Sequence, residues 1–92
     1  MYHLAATSFV PTSLKNPKLT FDTNLYGILN IYQVVFEQKI NPKILFVGSA
    51  DEYGVVNEEN FPIKEGCLLR PMNPYSISKA SADFLIYAYF KN

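Results

Sequence analysis

Lys43-Ile44-Leu45-Phe46-Val47-Gly48-Ser49 is the stretch that decides the fold. Four consecutive apolar residues without polar alternation read as a strand covered on both faces, which is the pattern of a parallel sheet. Asn41-Pro42 just before it ends whatever precedes, because the ring of a proline disfavours helical backbone at the residue ahead of it. Upstream, Pro17 can open a helix running to about Lys39. Its apolar positions Leu25, Ile28, Leu29, Tyr32, Val35 and Phe36 recur at three- and four-residue steps, as a helix buried along one side requires. Gly27 inside that helix costs about 1 kcal/mol relative to alanine, so close packing is the expected compensation.

The flanks complete the unit. Tyr2 to Ala6 is compatible with the last residues of another buried strand, and Thr7 to Asn16 suits a loop or a short helical turn. Downstream, Ala50 to Met72 is a long connection with the acidic residues Asp51, Glu52, Glu58, Glu59 and Glu65 and the turn residues Gly54, Pro62, Gly66 and Pro71. Connections of that length in compact domains are often functional. Pro74 then starts a last helix, since its missing N–H costs nothing at a first helical position. That helix is expected to bury Ile77, Ala80, Phe84, Leu85 and Ala88. The order β-α-β-α implies an α/β fold with a parallel, doubly wound sheet. Ligands of such sheets bind outside the carboxyl ends of the strands, where Ser49 falls.

Composition narrows the function classes. The 92 residues are 49% apolar and 15% aromatic, a globular composition. Eight basic residues balance eight acidic ones, which gives no signal for nucleic acid or an anionic membrane. A single cysteine, Cys67, cannot form an internal disulfide and fits a reducing compartment. No apolar run approaches the roughly 18 residues of a membrane span, and the N-terminus has no signal-peptide pattern. A soluble, cytoplasmic protein is expected. The chain enters on Met1-Tyr2-His3-Leu4-Ala5-Ala6 and closes inside a helical pattern at Lys91-Asn92, so it is expected to be an internal piece of a larger protein.

The chemistry centres on Tyr75 and Lys79, four residues apart and therefore one turn apart on one helix face. An ammonium beside a phenol favours the phenolate and brings its proton exchange toward a useful range. The same ammonium can donate hydrogen bonds to ligand hydroxyls. Tyr87 and Lys91 repeat the spacing on the same helix, so spacing alone does not distinguish chemistry from a surface contact. Ser49 could hydrogen-bond a substrate oxygen or satisfy local backbone. Asp51 and Glu52 are either general acid/base candidates or solvated loop charges. Asn24, unfavourable in mid-helix on propensity, could brace a site through water or lie on the surface. His3 reads as structural, because no Cys, His or carboxylate cluster accompanies it, and no metal site is expected. The four glycines form no Gly-rich strand-to-helix turn, so a dinucleotide pyrophosphate has no cradle within these residues.

His3-Leu4-Ala5-Ala6, Asn24 with Gly27, Phe46 through Gly54, and Pro74-Tyr75-Ser76-Ile77-Ser78-Lys79 together resemble the extended short-chain dehydrogenases/reductases, the nucleotide-sugar epimerase/dehydratase family. The resemblance covers nearly the whole chain and corresponds to residues 1–92 as the central part of a Rossmann-type NAD(P)-binding domain. The Gly-rich half and the substrate domain lie outside it. Within the family, Gly48-Ser49-Ala50-Asp51-Glu52-Tyr53-Gly54 and Leu69 through Tyr75 most resemble the GDP-mannose branch of 4,6-dehydratases and 4-dehydro-6-deoxymannose reductases. The resemblance implies Tyr75 as the catalytic acid/base and Lys79 as the holder of the nicotinamide ribose. It also implies Ser49 as a partner of the sugar C4 oxygen, Leu4, Ala5 and Ala6 as the cofactor lining, and Asn24 as the asparagine associated with the lysine. NAD or NADP is the implied cofactor and a nucleotide sugar the implied substrate. The implied partner is a second copy, joined through the helices starting near Pro17 and Pro74 as a four-helix interface.

A dehydratase of this branch usually has Thr at the position of Ser49 and Glu at that of Asp51. The shorter aspartate favours reduction over elimination. Dehydratase or epimerase activity is the alternative, and a non-catalytic dinucleotide- or partner-binding module is the alternative of another class.

Overall fold

A computed structural model describes all residues, 1–92. Two short strands pair in parallel, β1 (Tyr2–His3) and β2 (Leu45–Phe46), with Tyr2 opposite Leu45 and His3 opposite Phe46. Between them run helices α1 (Val10–Lys15), α2 (Pro17–Phe21) and α3 (Gly27–Glu37), with a π-helical turn at Asp22–Tyr26 joining α2 to α3. After β2 come two 3-10 turns, Ala50–Tyr53 and Glu58–Asn60, and then the long helix α4 (Pro74–Lys91). The β-α-β-α order and the parallel pairing are those the sequence implies. The segment from Thr7 to Asn16 is the short helical turn, not a plain loop.

Local chemistry sets the helix starts. Asn16 caps α2 by accepting from the Leu19 N–H at 3.2 Å, with Pro17 next to it. Asn73 caps α4 reciprocally: its Oδ1 accepts from the Ser76 N–H at 2.8 Å, and Ser76 Oγ accepts from the Asn73 N–H at 3.1 Å. Two of the N–H groups a helix start leaves without partners are thereby satisfied.

Two expectations about burial need correction. First, β2 is shorter than Lys43–Ser49 and is covered on one face only. Ile44 and Phe46 are half-buried, while Leu45 and Val47 are exposed along with Tyr2 and Leu4 of the neighbouring strand. Lys79 of α4 lies over the Phe46 ring, while Tyr2, Leu4, Leu45 and Val47 stay open to solvent. Second, α4 buries Tyr75, Ser76, Ser78, Lys79, Ala80 and Ala82. Of the expected apolar set only Ala80 is buried; Leu85 is half-buried, and Ile77, Phe84 and Ala88 are exposed.

The reason is the size of the facing side chains. Ser13, Thr20 and Asn24 are fully buried on the opposing elements, and Ser76, Ser78 and Ala82 on α4. Small groups on both sides permit a close helix approach, and their hydroxyls are satisfied locally. Ile28 is the one large aliphatic side chain that is fully buried. Gly27, expected to answer a close contact, does not: a Cβ there would meet nothing nearer than the Asp22 carbonyl at 4.0 Å. No helix is long and apolar enough to cross a membrane.

Candidate active site

The site is assembled where β2 ends and α4 begins. Beyond Phe46 the chain stays extended to Ser49, which caps the turn Ala50–Tyr53. Ser49 Oγ accepts from the Asp51 N–H at 3.2 Å, and Glu52 Oε1 accepts from the Ser49 N–H at 2.9 Å. The Ser49 hydroxyl therefore serves the protein as an acceptor, and its proton is not used within the chain. The capped turn packs against α4. Two backbone features fix it there. Arg70 N–H donates to the Glu52 carbonyl at 2.9 Å. Gly54 sits at φ +67°, where any Cβ would come within 2.1 Å of the Arg70 carbonyl oxygen. Only glycine fits that position.

Tyr75 lies in the first turn of α4 with its ring buried, and its side chain makes no hydrogen bond within the chain. Its carbonyl accepts from the Ser78 hydroxyl at 2.6 Å. Lys79, one turn on, is only 5% exposed. Its ammonium donates to the Val47 carbonyl at 3.0 Å and lies 4.9 Å from the centre of the Phe46 ring. Burial draws its pKa below the ordinary lysine value, while the charge of Glu52 acts the other way. The turn capped by Ser49 thus packs on the helix that bears Tyr75 and Lys79, and Lys79 reaches the Val47 carbonyl just beyond the carboxyl end of β2.

Asn24 is buried at the π-helical turn and binds both backbone polar groups of one residue, Thr7. Its Oδ1 accepts from the Thr7 N–H and its Nδ2 donates to the Thr7 carbonyl, each at 2.9 Å. The same Nδ2 lies 3.1 Å from Ser78 Oγ. The bracing is direct, from the loop after β1 through Asn24 and Ser78 to the Tyr75 carbonyl. A π-helical turn at such a position is a common mark of function. Ser78 is a site residue that the sequence expectations omit. A serine between Tyr75 and Lys79 that can bond back to the carbonyl three residues earlier was the available signal.

The remaining candidates fall into two groups. Leu4, Ala5 and Ala6 follow β1 and are exposed, at the same sheet edge as Ser49. Glu52 is not a solvated loop charge but is 5% exposed and engaged with the Ser49 backbone. Burial pushes its carboxyl above the usual range; the Ser49 N–H lowers it, Asp83 raises it and Lys79 lowers it. Asp51 is the solvated one, contributing its backbone N–H to Ser49. No group of three His, Cys, Asp or Glu side chains is placed to hold a metal ion. Cys67 is free and half-buried.

Tyr87 and Lys91 are not part of this assembly. Lys91 lies 5.6 Å from the centres of both the Tyr87 and Phe90 rings, and Tyr87 is 60% exposed. A cleft of about 1060 Å³ opens elsewhere, between Tyr32, Ile44, Ile86 and Phe90. None of Ser49, Tyr75 or Lys79 lines it.

Comparison with known proteins places this geometry among relatives. The family model described as GDP-mannose 4,6 dehydratase matches residues 1–92. GDP-6-deoxy-D-mannose reductase of Pseudomonas aeruginosa is 37% identical over 83 residues, covering 90% of this chain and 27% of the relative. UDP-glucose 4-epimerase of Streptococcus mutans is 40% identical over 84 residues, covering 91% of this chain and 24% of the relative. Among solved structures, the RMD protein of Pseudomonas aeruginosa complexed with NADPH superposes with a TM-score of 0.90 at 35% identity, over 96% of this chain and 30% of the other. A UDP-glucose 4-epimerase from Brucella ovis in complex with NAD gives 0.87 at 27% identity, over 96% of this chain and 26% of the other. The chain spans about a quarter of the length of the relatives it matches.

Proposed function

The chain belongs to the extended short-chain dehydrogenase/reductase family of NAD-dependent nucleotide-sugar epimerases and dehydratases, and from that premise we propose that it is the central part of the cofactor domain of a nucleotide-sugar reductase. The reaction is reduction of the C4 carbonyl of a GDP-4-dehydro-6-deoxyhexose. The observation that supports the reading is the packing of the Ser49-capped turn on the helix that bears Tyr75 and Lys79, just beyond the carboxyl end of β2, with the Ser49 proton and the Tyr75 hydroxyl both uncommitted within the chain.

The residues fit a nicotinamide cofactor at this edge. The exposed Leu4–Ala6 segment offers a surface for it, and Lys79 uses one of its three N–H donors on Val47, leaving two for ribose hydroxyls. The bound nicotinamide would supply the hydride. Tyr75 gives its phenolic proton to the C4 oxygen as negative charge develops there, and Ser49 donates a hydrogen bond to the same oxygen. Asp51, solvated and a methylene shorter than the usual dehydratase glutamate, supports reduction over elimination.

A second copy is proposed to pack on α2–α3 and α4. Exposed apolar residues occur on both: Leu19 and Tyr26 on one rod, and Ile77 and Phe84, seven apart and so two turns apart on one face, on the other.

The test is turnover by the full-length enzyme. NADPH or NADH oxidation with GDP-4-dehydro-6-deoxymannose is expected. Conversion of GDP-mannose to its 4-dehydro-6-deoxy product, or interconversion of UDP-glucose and UDP-galactose, would replace the reductase reading with dehydratase or epimerase. Absence of all three would favour a non-catalytic module.

A further inference from the structure

We propose that Phe46 is a positioning residue for Lys79, its ring face supporting the ammonium while the Val47 carbonyl takes one N–H, so that the other two are held for the cofactor. The inference rests on the functional reading above for what Lys79 binds, but not for where Lys79 sits.

The geometry is built across the two strands. His3 and Phe46 are register partners in the parallel pair, so their side chains leave the same face of the sheet. Their rings stack with centroids 6.1 Å apart and planes at 12°. Lys79 reaches this pair from α4, with Nζ 4.9 Å from the Phe46 centroid. That is within the range at which a ring quadrupole attracts a cation, and the attraction grows when the cation is desolvated. Lys79 is desolvated and makes no ion pair; the one salt bridge in the chain is Lys18–Asp22. Its one hydrogen bond goes to a neutral carbonyl. The ring is therefore a main local compensation for a buried charge.

The charged neighbours are consistent with that role. From β1, His3 has its Nε2 buried without a partner, and burial followed by the Lys79 charge lowers its pKa, which keeps the imidazole neutral beside the ammonium. From the turn after β2, Glu52 acts on Lys79 through space, and Asp83 of α4 acts on Glu52. Neither carboxylate is within ion-pair distance of Lys79.

Phe46 can be replaced in the full-length enzyme by mono-, di- and trifluorophenylalanine, which weaken the quadrupole in steps while keeping the shape of the ring. Two readouts are needed: the titration of Lys79 followed by 13C NMR of Cε-labelled lysine, assigned with Lys79→Arg, and the steady-state constants against pH. The titration is expected to move stepwise to lower pH, with KM for the cofactor rising about 3- to 10-fold by the last step and kcat changing less. An unchanged titration across the series would overturn the proposal and leave Phe46 as packing, whatever the thermal stability does. If no nucleotide sugar is turned over, the functional reading fails while the lysine titration still decides this one.

Discussion

Helix α4 carries the same pair twice, and the two copies live in different surroundings. Near its start, Tyr75 and Lys79 are buried. Ser78 holds the Tyr75 carbonyl, and Val47 and Phe46 hold the Lys79 ammonium. Near its end, Lys91 touches only the Tyr87 and Phe90 rings of its own helix, at the surface. The i,i+4 spacing is identical, so spacing does not confer chemistry. What separates the two pairs is contacts distant in sequence: each member of the first pair is fixed by residues from another element, or by one that is itself so fixed. An exposed local contact such as the second is worth a few tenths of a kcal/mol.

The largest test of that contrast is Tyr75→Phe against Tyr87→Phe in the full-length enzyme. Removing the proposed proton donor at position 75 is expected to lower kcat about 10²- to 10⁴-fold, with cofactor affinity retained because the ring still packs. The same change at position 87 should leave kcat within about 2-fold, the range of surface substitutions. Equal losses in both variants, or none at Tyr75, would remove the distinction.

The next test concerns what anchors the first pair. Asn24→Ala leaves the Thr7 N–H and carbonyl without partners and takes one from Ser78. A loss of about 2–4 kcal/mol is expected from orphaned buried groups, read from urea unfolding midpoints. Asn30→Ala, on the exposed side of α3, should change stability by less than about 0.5 kcal/mol. Similar midpoints for both variants would mean that Thr7 finds other partners and the brace is dispensable.

How much of this was legible in the chain follows the same division. Asn73-Pro74, Asn16-Pro17 and the apolar run at Ile44–Val47 act through their immediate neighbours, and the helix starts and the parallel pairing were readable from them. The same order led from the strand end at Ser49 to the helix start at Tyr75, and the turn after Ser49 does pack on that helix. The buried face of α4 was not readable. It is made of Ser and Ala side chains whose burial depends on how closely another helix approaches, whereas Ile77 and Phe84 carry the hydrophobic signal and face outward. The burial of Ser78 and Glu52 was obscured for the same reason, since whether a serine or a glutamate is buried depends on the partner brought to it.

Glu52 supplies the smallest and most discriminating prediction, because it lies between the turn that bears Ser49 and the helix that bears Lys79. Its carboxyl is raised chiefly by burial, so the folded chain holds that proton more tightly than the unfolded one. The stabilisation linked to that proton is complete below the ordinary carboxylate range and is lost as pH rises through the raised folded value. Glu52→Gln cannot titrate, yet its side-chain oxygen can still accept from the Ser49 N–H. The variant should therefore gain on the wild type as pH is raised from 4 to 8, by up to about 1 kcal/mol, measured as the difference in unfolding midpoints. If Glu52 instead served mainly as the counter-charge of Lys79, the wild type would gain on the variant over the same interval. The sign of the slope decides whether Lys79 is held by a carboxylate or by the ring and the carbonyl beneath it.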